Sequence, residues 1–319
     1  MKSFYEKIPM KVREVIPALT ILIAMGVVFS LVSGKFLSYN NISNIFLQAT
    51  STAIVGAGMM FVMICGNFDL IGGSMMALTG VIAGKLLSAG WNTILVIVVV
   101  LIMGALVGLF DGLLVTKLKM LPFIVTLSVS IMIAGLALAI SGGKTVYGLP
   151  DSFTWLGSGK IGSFPVAVIL MILIFAVCWF VLSKTVFGHQ VYAIGGNREA
   201  AFLAGVNVQR VERICYVISG MLVVVAGVVL TGRMGSAVAN AGEGTEMNAL
   251  SGLVIGGISM SGGRGNVVGA FIGCVIIAAL NNGLNMMNVS AYWTDFVRGL
   301  IILLAITFDA VRKLSKRDD

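Results

Sequence analysis

Asp69 lies in the stretch CGNFDLIGGS, where Gly66, Asn67, Gly72 and Gly73 break an otherwise apolar pattern. Asp111 closes an apolar run, Asp295 and Arg298 stand at the start of the last one, and Asn281, Asn282 and Asn285 cluster in NNGLN. Carboxylates in such a setting can carry a proton or a sodium ion, and amides can line a polar path. Helix capping and interfacial positions use the same residue types, so each of these residues keeps a plain structural reading beside the functional one. Other chemistry is poorly supplied. SGGKT at 141–145 ends like a phosphate loop, but the glycine needed five positions before Gly143 is Leu138. MSGGRG at 260–265 resembles the signature loop of a transport ATPase, with no accompanying nucleotide-binding domain. His189 is the one histidine and reads as a solvated loop residue, so no histidine cluster exists. The cysteines Cys65, Cys178, Cys215 and Cys274 fall in or beside apolar runs at spacings that fit neither a zinc site nor a disulfide framework. They read as small apolar packers. The chain is expected to be no enzyme, with no catalytic residue, no bound cofactor and no metal.

The elements that must position these residues are membrane helices. Hydrophobic residues make up 58% of the 319, charged ones 11%, and mean hydropathy is +1.05. Such a chain lacks the polar surface to cover itself in water. The fold class expected is all-α, a polytopic transmembrane bundle of about ten spans including short or broken helices, in one domain over 1–319. The spans read as 15–33, 46–65, 70–89, 93–115, 122–140, 164–182, 214–231, 247–260, 267–284 and 293–310. The eighth is too short to cross alone and reads as tilted, broken or re-entrant, which is tolerated only where protein or a cavity surrounds it. The first span, from Val15 over about 19 residues, is longer than a signal-peptide core and reads as retained.

Lysine and arginine set the orientation. An even span count with both termini inside the cell puts 15 of them on the cytoplasmic side, including Lys117, Lys119, Lys184, Arg198, Arg210, Arg213 and Arg264. Five fall outside: Lys35, Lys85, Lys144, Lys160 and Arg233. The net charge of +8 then reflects this bias and calls for no nucleic acid. Among forty glycines, Gly56/Gly58, Gly104/Gly108, Gly252/Gly256 and Gly269/Gly273 recur at the spacing that lets helix backbones approach closely.

One polar break, the cytoplasmic loop at about 183–213, holds GGNREAAFLAGVNV at 195–208. Asn197 can N-cap a helix, Glu199 would sit in its first turn, and Gly205 can end it. The result is a stub of about two turns presenting Ala200, Ala201, Phe202 and Leu203. An apolar knob on such a loop suits a groove in a partner.

PFIVTL (122–127), YAIGGNREAAFLAGVNV (192–208), AGEGTEMNALSGLVIGGISMSGGRGNVVGAFIG (241–273) and NNGLN (281–285) resemble the membrane subunit of bacterial monosaccharide ABC importers, the ribose, xylose, arabinose and galactoside permease family. The similarity runs from about residue 40 to 305. Where that family commonly has D-L-S-V-G-S, this chain has Asp69-Leu70-Ile71-Gly72-Gly73-Ser74, without the hydroxyl at Ile71. Glu199-Ala200-Ala201 followed by Gly205 matches the E-A-A-x-x-x-G pattern by which such permeases contact their ATPases. The resemblance implies an ATPase-docking set of Gly196, Asn197, Arg198, Glu199, Ala200, Ala201, Phe202 and Gly205. Beside it stands a candidate path of Asn67, Asp69, Asn281, Asn282 and Asn285. It further implies an inner-membrane protein with a pair of ATP-binding subunits that hold ATP and Mg²⁺, a second permease copy or homologue, and an extracellular or periplasmic sugar-binding protein. A branched-chain amino-acid ABC permease and an ion-coupled secondary transporter remain as alternatives. Inverted repeats with broken helices would favour the latter.

Overall fold

The computed structural model describes residues 15–290 and scattered positions between 292 and 307. Asp295, Arg298, both charged termini and most of the expected tenth span lie outside the described residues. Twelve helices are described: α1 (Ile16–Val32), α2 (Tyr39–Ile64), α3 (Gly72–Ser88), α4 (Thr93–Lys117), α5 (Pro122–Ser141), α6 (Asp151–Ser158), α7 (Val166–Lys184), α8 (Val186–Gly196), α9 (Arg198–Leu203), α10 (Val208–Met234), α11 (Thr245–Ile255) and α12 (Val267–Met286). Of these α2, α4, α5, α7, α10 and α12 are long and apolar enough to cross a membrane, and α1 is a shorter apolar helix. The all-α expectation needs one small correction. A two-stranded hairpin, β1 (Lys160–Ile161) with β2 (Phe164–Pro165), follows α6, and Val146 bridges Ala237.

Local signals explain the boundaries. The side chains of Ser38, Asn92, Asn207 and Asn266 accept N–H bonds at the starts of α2, α4, α10 and α12, satisfying donors that the helix itself cannot. Pro17 and Pro122 sit in the first turns of α1 and α5, where a missing N–H costs nothing.

The bundle is built on α2 and α10, which are mostly buried and run antiparallel, with Gly58 beside Ser219 and Cys65 beside Cys215. Helix α2 packs on α11 and α12, and α10 packs on α3, α4 and α6. The paired glycines mark the closest approaches. Gly104 and Gly108 of α4 lie against Gly220 and Tyr216 of α10, and Gly252 of α11 and Gly256 just past its end lie against Gly273 and Gly269 of α12. A side chain at Gly104 or Gly256 would strike the opposing backbone, so the small-residue spacing carries the packing expected of it.

Helices α3 and α11 are shorter than the helices they follow, with 17 and 11 residues. Gly72 faces Val55, nine residues before the end of α2, which places the start of α3 about 13 Å back along that helix. Residues 65–71 therefore return beside α2. Residues 235–244 likewise return beside α3, with Ala237 at Gly84 and Gly242 at Gly73 and Met76. The two short helices begin against each other: the Gly73 N–H donates to Glu246 Oε2 at 2.9 Å. The pattern of long helix, returning segment, shorter helix and long helix thus occurs in α2–α4 and again, inverted, in α10–α12.

Candidate functional site

The loop at 183–213 holds two helices, α8 and α9, and not the single stub expected. The chain breaks at Asn197, which closes α8 and whose Oδ1 accepts the Ala200 N–H at 3.0 Å to start α9. At the other end Gly205 has φ +84°, and the N–H groups of Gly205 and Val206 donate to the carbonyls of Phe202 and Ala201. That pair of bonds with a left-handed glycine is the closure a two-turn helix needs to stop cleanly. Glu199 lies in the first turn and is exposed.

Which side chains α9 presents differs from expectation. Phe202 and Leu203 are 69% and 84% exposed and Ala200 is exposed, but Ala201 is buried at 5%. Ala201 belongs to the core cluster that also holds Val208 and Val211 at the start of α10. A six-residue helix lying on its neighbour must turn one face inward, and Ala201 occupies that face. Gly196 and Arg198 are exposed at the break between the helices. Beside the knob lies an open groove of about 1000 Å³ lined by Lys119, Arg198, Glu199, Phe202, Leu203 and Gln209.

An ion pair between an exposed arginine and a buried glutamate ties this unit to the bundle. Arg198 donates from Nε to Glu212 Oε1 and from Nη2 to Oε2, both at 3.1 Å. The arginine side chain is 60% exposed and the glutamate 4%. The two-pronged geometry matches the planar guanidinium to the carboxylate. It raises the Arg198 pKa above its ordinary value, chiefly through the hydrogen bonds to Glu212. On α10 the next residue, Arg213, reaches Thr116 of α4 and Gln209. One turn further, Tyr216 donates its hydroxyl to the Phe68 carbonyl at 3.1 Å, within the returning segment 65–71. The far side of the loop is tied as well. Tyr192 of α8 donates to Gly265 O at 2.8 Å, and Gly263 N–H donates to Ile64 O at 2.9 Å.

The candidate path residues stand on two separate elements. Asn67 and Asp69 belong to the segment 65–71, and Asn281, Asn282 and Asn285 to α12. Asp69 is buried; its Oδ1 accepts the Ile71 N–H at 3.2 Å and its Oδ2 has no hydrogen-bond partner. Asn67 Nδ2, both oxygens of Asp111, and the side-chain oxygens of Asn281 and Asn282 are likewise buried without partners, while Asn285 is exposed. Sequence reasoning missed Glu212, Tyr216 and Glu246. Each works through a partner many positions away, and no local spacing announces such a contact.

A bundle of apolar helices with an inverted repeat and a capped, exposed apolar stub belongs to a multi-pass membrane protein. Residues 41–306 match the family described as branched-chain amino acid transport system / permease component, and the chain belongs to that family. Among its relatives, the ribose import permease protein RbsC of Bacillus subtilis (strain 168) is 39% identical over 90% of each chain. The protein of the same name from Escherichia coli K12 is 35% identical over 97% of this chain and 96% of its own. The D-allose transport system permease protein AlsC of Escherichia coli K12 is 36% identical over 92% and 90%. No solved structure matches. Inverted repeats with broken helices would, on sequence grounds, favour an ion-coupled carrier; the inverted pattern here occurs in a chain of this permease family.

Proposed function

We propose that this chain is the membrane-spanning subunit of an ATP-driven importer and forms the path for a monosaccharide, a ribose-like pentose or a hexose. The observation that carries the reading is the capped stub, Asn197 to Gly205, with Phe202 and Leu203 projecting beside an open groove. Exposed apolar side chains on a rigid, satisfied backbone are suited to a complementary cleft in a partner. The family membership and the ribose, allose and xylose permeases among the relatives support the sugar class. In this reading the stub docks on a pair of ATP-binding subunits, which hold ATP and Mg²⁺, and this chain binds neither. A second permease copy or homologue completes the path, and an extracellular or periplasmic binding protein delivers the sugar. Ten spans with both termini in the cytoplasm of a bacterial inner membrane fit the charge bias.

Reconstitution with the ATPase and the binding protein in proteoliposomes tests this. ATP-dependent uptake of labelled D-ribose, D-xylose or D-allose should persist when proton and sodium gradients are collapsed. Uptake that stops with the gradients while ATP is held would sink the reading.

A further inference from the structure

We infer that Glu212 is a positioning residue for energy coupling: through Arg198 it fixes the attitude of the stub on α10, so that a push on the stub moves α10 and the returning segment 65–71. The inference rests on the docking reading above and goes beyond it, since Glu212 belongs to neither the docking set nor the candidate path.

The geometry carries the argument. Helix α9 has six residues and leans on the bundle through Ala201 alone among its apolar residues. So small a contact leaves a short helix free to swivel, and a force on Phe202 and Leu203 would be absorbed in the loop. The Arg198–Glu212 pair removes that freedom, because two parallel hydrogen bonds fix direction as well as distance. Glu212 is buried on α10, a helix of 27 residues that spans about 40 Å and packs on α2, α3, α4 and α6. One turn along the same face Tyr216 is among the largest fully buried side chains, and its hydroxyl holds the Phe68 carbonyl. Cys65 and Cys215 pack at 3.7 Å between the same elements. A displacement of α9 is thus passed to the start of α10 and from there to the backbone next to Asp69. Two contacts one turn apart on a rigid helix form the continuous physical link that coupling between sites requires.

The cost of losing the link should fall on transport and spare assembly. In Glu212→Gln the arginine, already largely exposed, can turn to water, and the amide keeps one hydrogen bond. The test uses the complete complex in proteoliposomes, with binding protein loaded with D-ribose as the probe. The readouts are co-purification of the ATPase, hydrolysis rate and sugar moved per ATP. Glu212→Gln is expected to retain the ATPase while sugar moved per ATP falls roughly tenfold. Tyr216→Phe, which deletes only the hydroxyl, is expected to fall several-fold, and the double variant should be no worse than Glu212→Gln, since both lie on one route. Arg198→Lys keeps the charge but loses the two-pronged geometry, and should show a smaller loss in the same ratio. An unchanged ratio in Glu212→Gln overturns the inference while leaving docking intact. If that variant does not reach the membrane, an unchanged ratio in Arg198→Lys overturns it. Failure of the unmodified chain to retain the ATPase would overturn the docking reading itself.

Discussion

A tryptophan at Ala201 and a serine at Phe202 are expected to fail for different reasons. Ala201 is buried in the main core cluster, so Ala201→Trp overpacks its site at a cost of about 1–3 kcal/mol. It should lower the thermal stability of the purified chain as well as ATPase binding. Phe202 is 69% exposed, so Phe202→Ser should change stability by no more than about 0.5 kcal/mol while weakening ATPase association about tenfold or more. Co-purification measured beside a melting curve separates the two, and equal behaviour would mean that α9 presents the wrong face. Gly205 adds a backbone test. At φ +84° an alanine is strained by roughly 1–2 kcal/mol, and the loop should loosen without loss of membrane insertion. The caps Asn197 and Gly205 were legible in the sequence because a cap is a local event between residues three or four apart. The inward turn of Ala201 and the role of Glu212 were not. Six residues give no usable periodicity, and the Arg198 partner lies 14 positions on, set by how α9 folds back.

At the scale of elements, nine of the ten expected spans coincide with a described helix to within a few residues, apart from the longer starts of α2 and α10. Hydropathy sees burial and length. It does not see the direction in which a chain returns, so 70–89 reads as an ordinary span although α3 starts beside the middle of α2, whereas 247–260 is already too short to cross alone and α11 has 11 residues. Glycine spacing was more informative, because close approach of two backbones demands it. Gly256→Ala should destabilise the solubilised chain by about 1–3 kcal/mol, since the new methyl would lie against the Gly269 carbonyl. Gly135→Ala, in open space on α5, should be neutral or stabilising by up to about 1 kcal/mol. Melting temperatures in detergent check both. A second element-scale test concerns Glu246. Glu246→Ala leaves the start of α3 without its side-chain acceptor and should cost about 1–3 kcal/mol, with Glu246→Gln milder.

For the whole molecule the orientation inferred from charge can be tested directly, because all four native cysteines are buried and should give little background. Cysteines at Asp151 and Ser158, both exposed on α6, should react with an impermeant thiol reagent added outside intact cells. Cysteines at Glu199 and Ser315 should react only after the membrane is opened. The reverse pattern would invert the molecule and move the stub away from any cytoplasmic ATPase.

The half-helix α11 also constrains how the chain is made. At 11 residues it reaches about 16 Å, roughly half the hydrocarbon thickness, so it cannot lodge in the bilayer by itself as it leaves the ribosome. It packs on α2, but Gly252 and, just past its end, Gly256 lie against α12, which is synthesised later. A released chain truncated after residue 262 should therefore leave 245–255 accessible to water-borne reagents, and one extending through residue 290 should protect it. Membrane entry here is a paired event, with the later helix recruiting the earlier one.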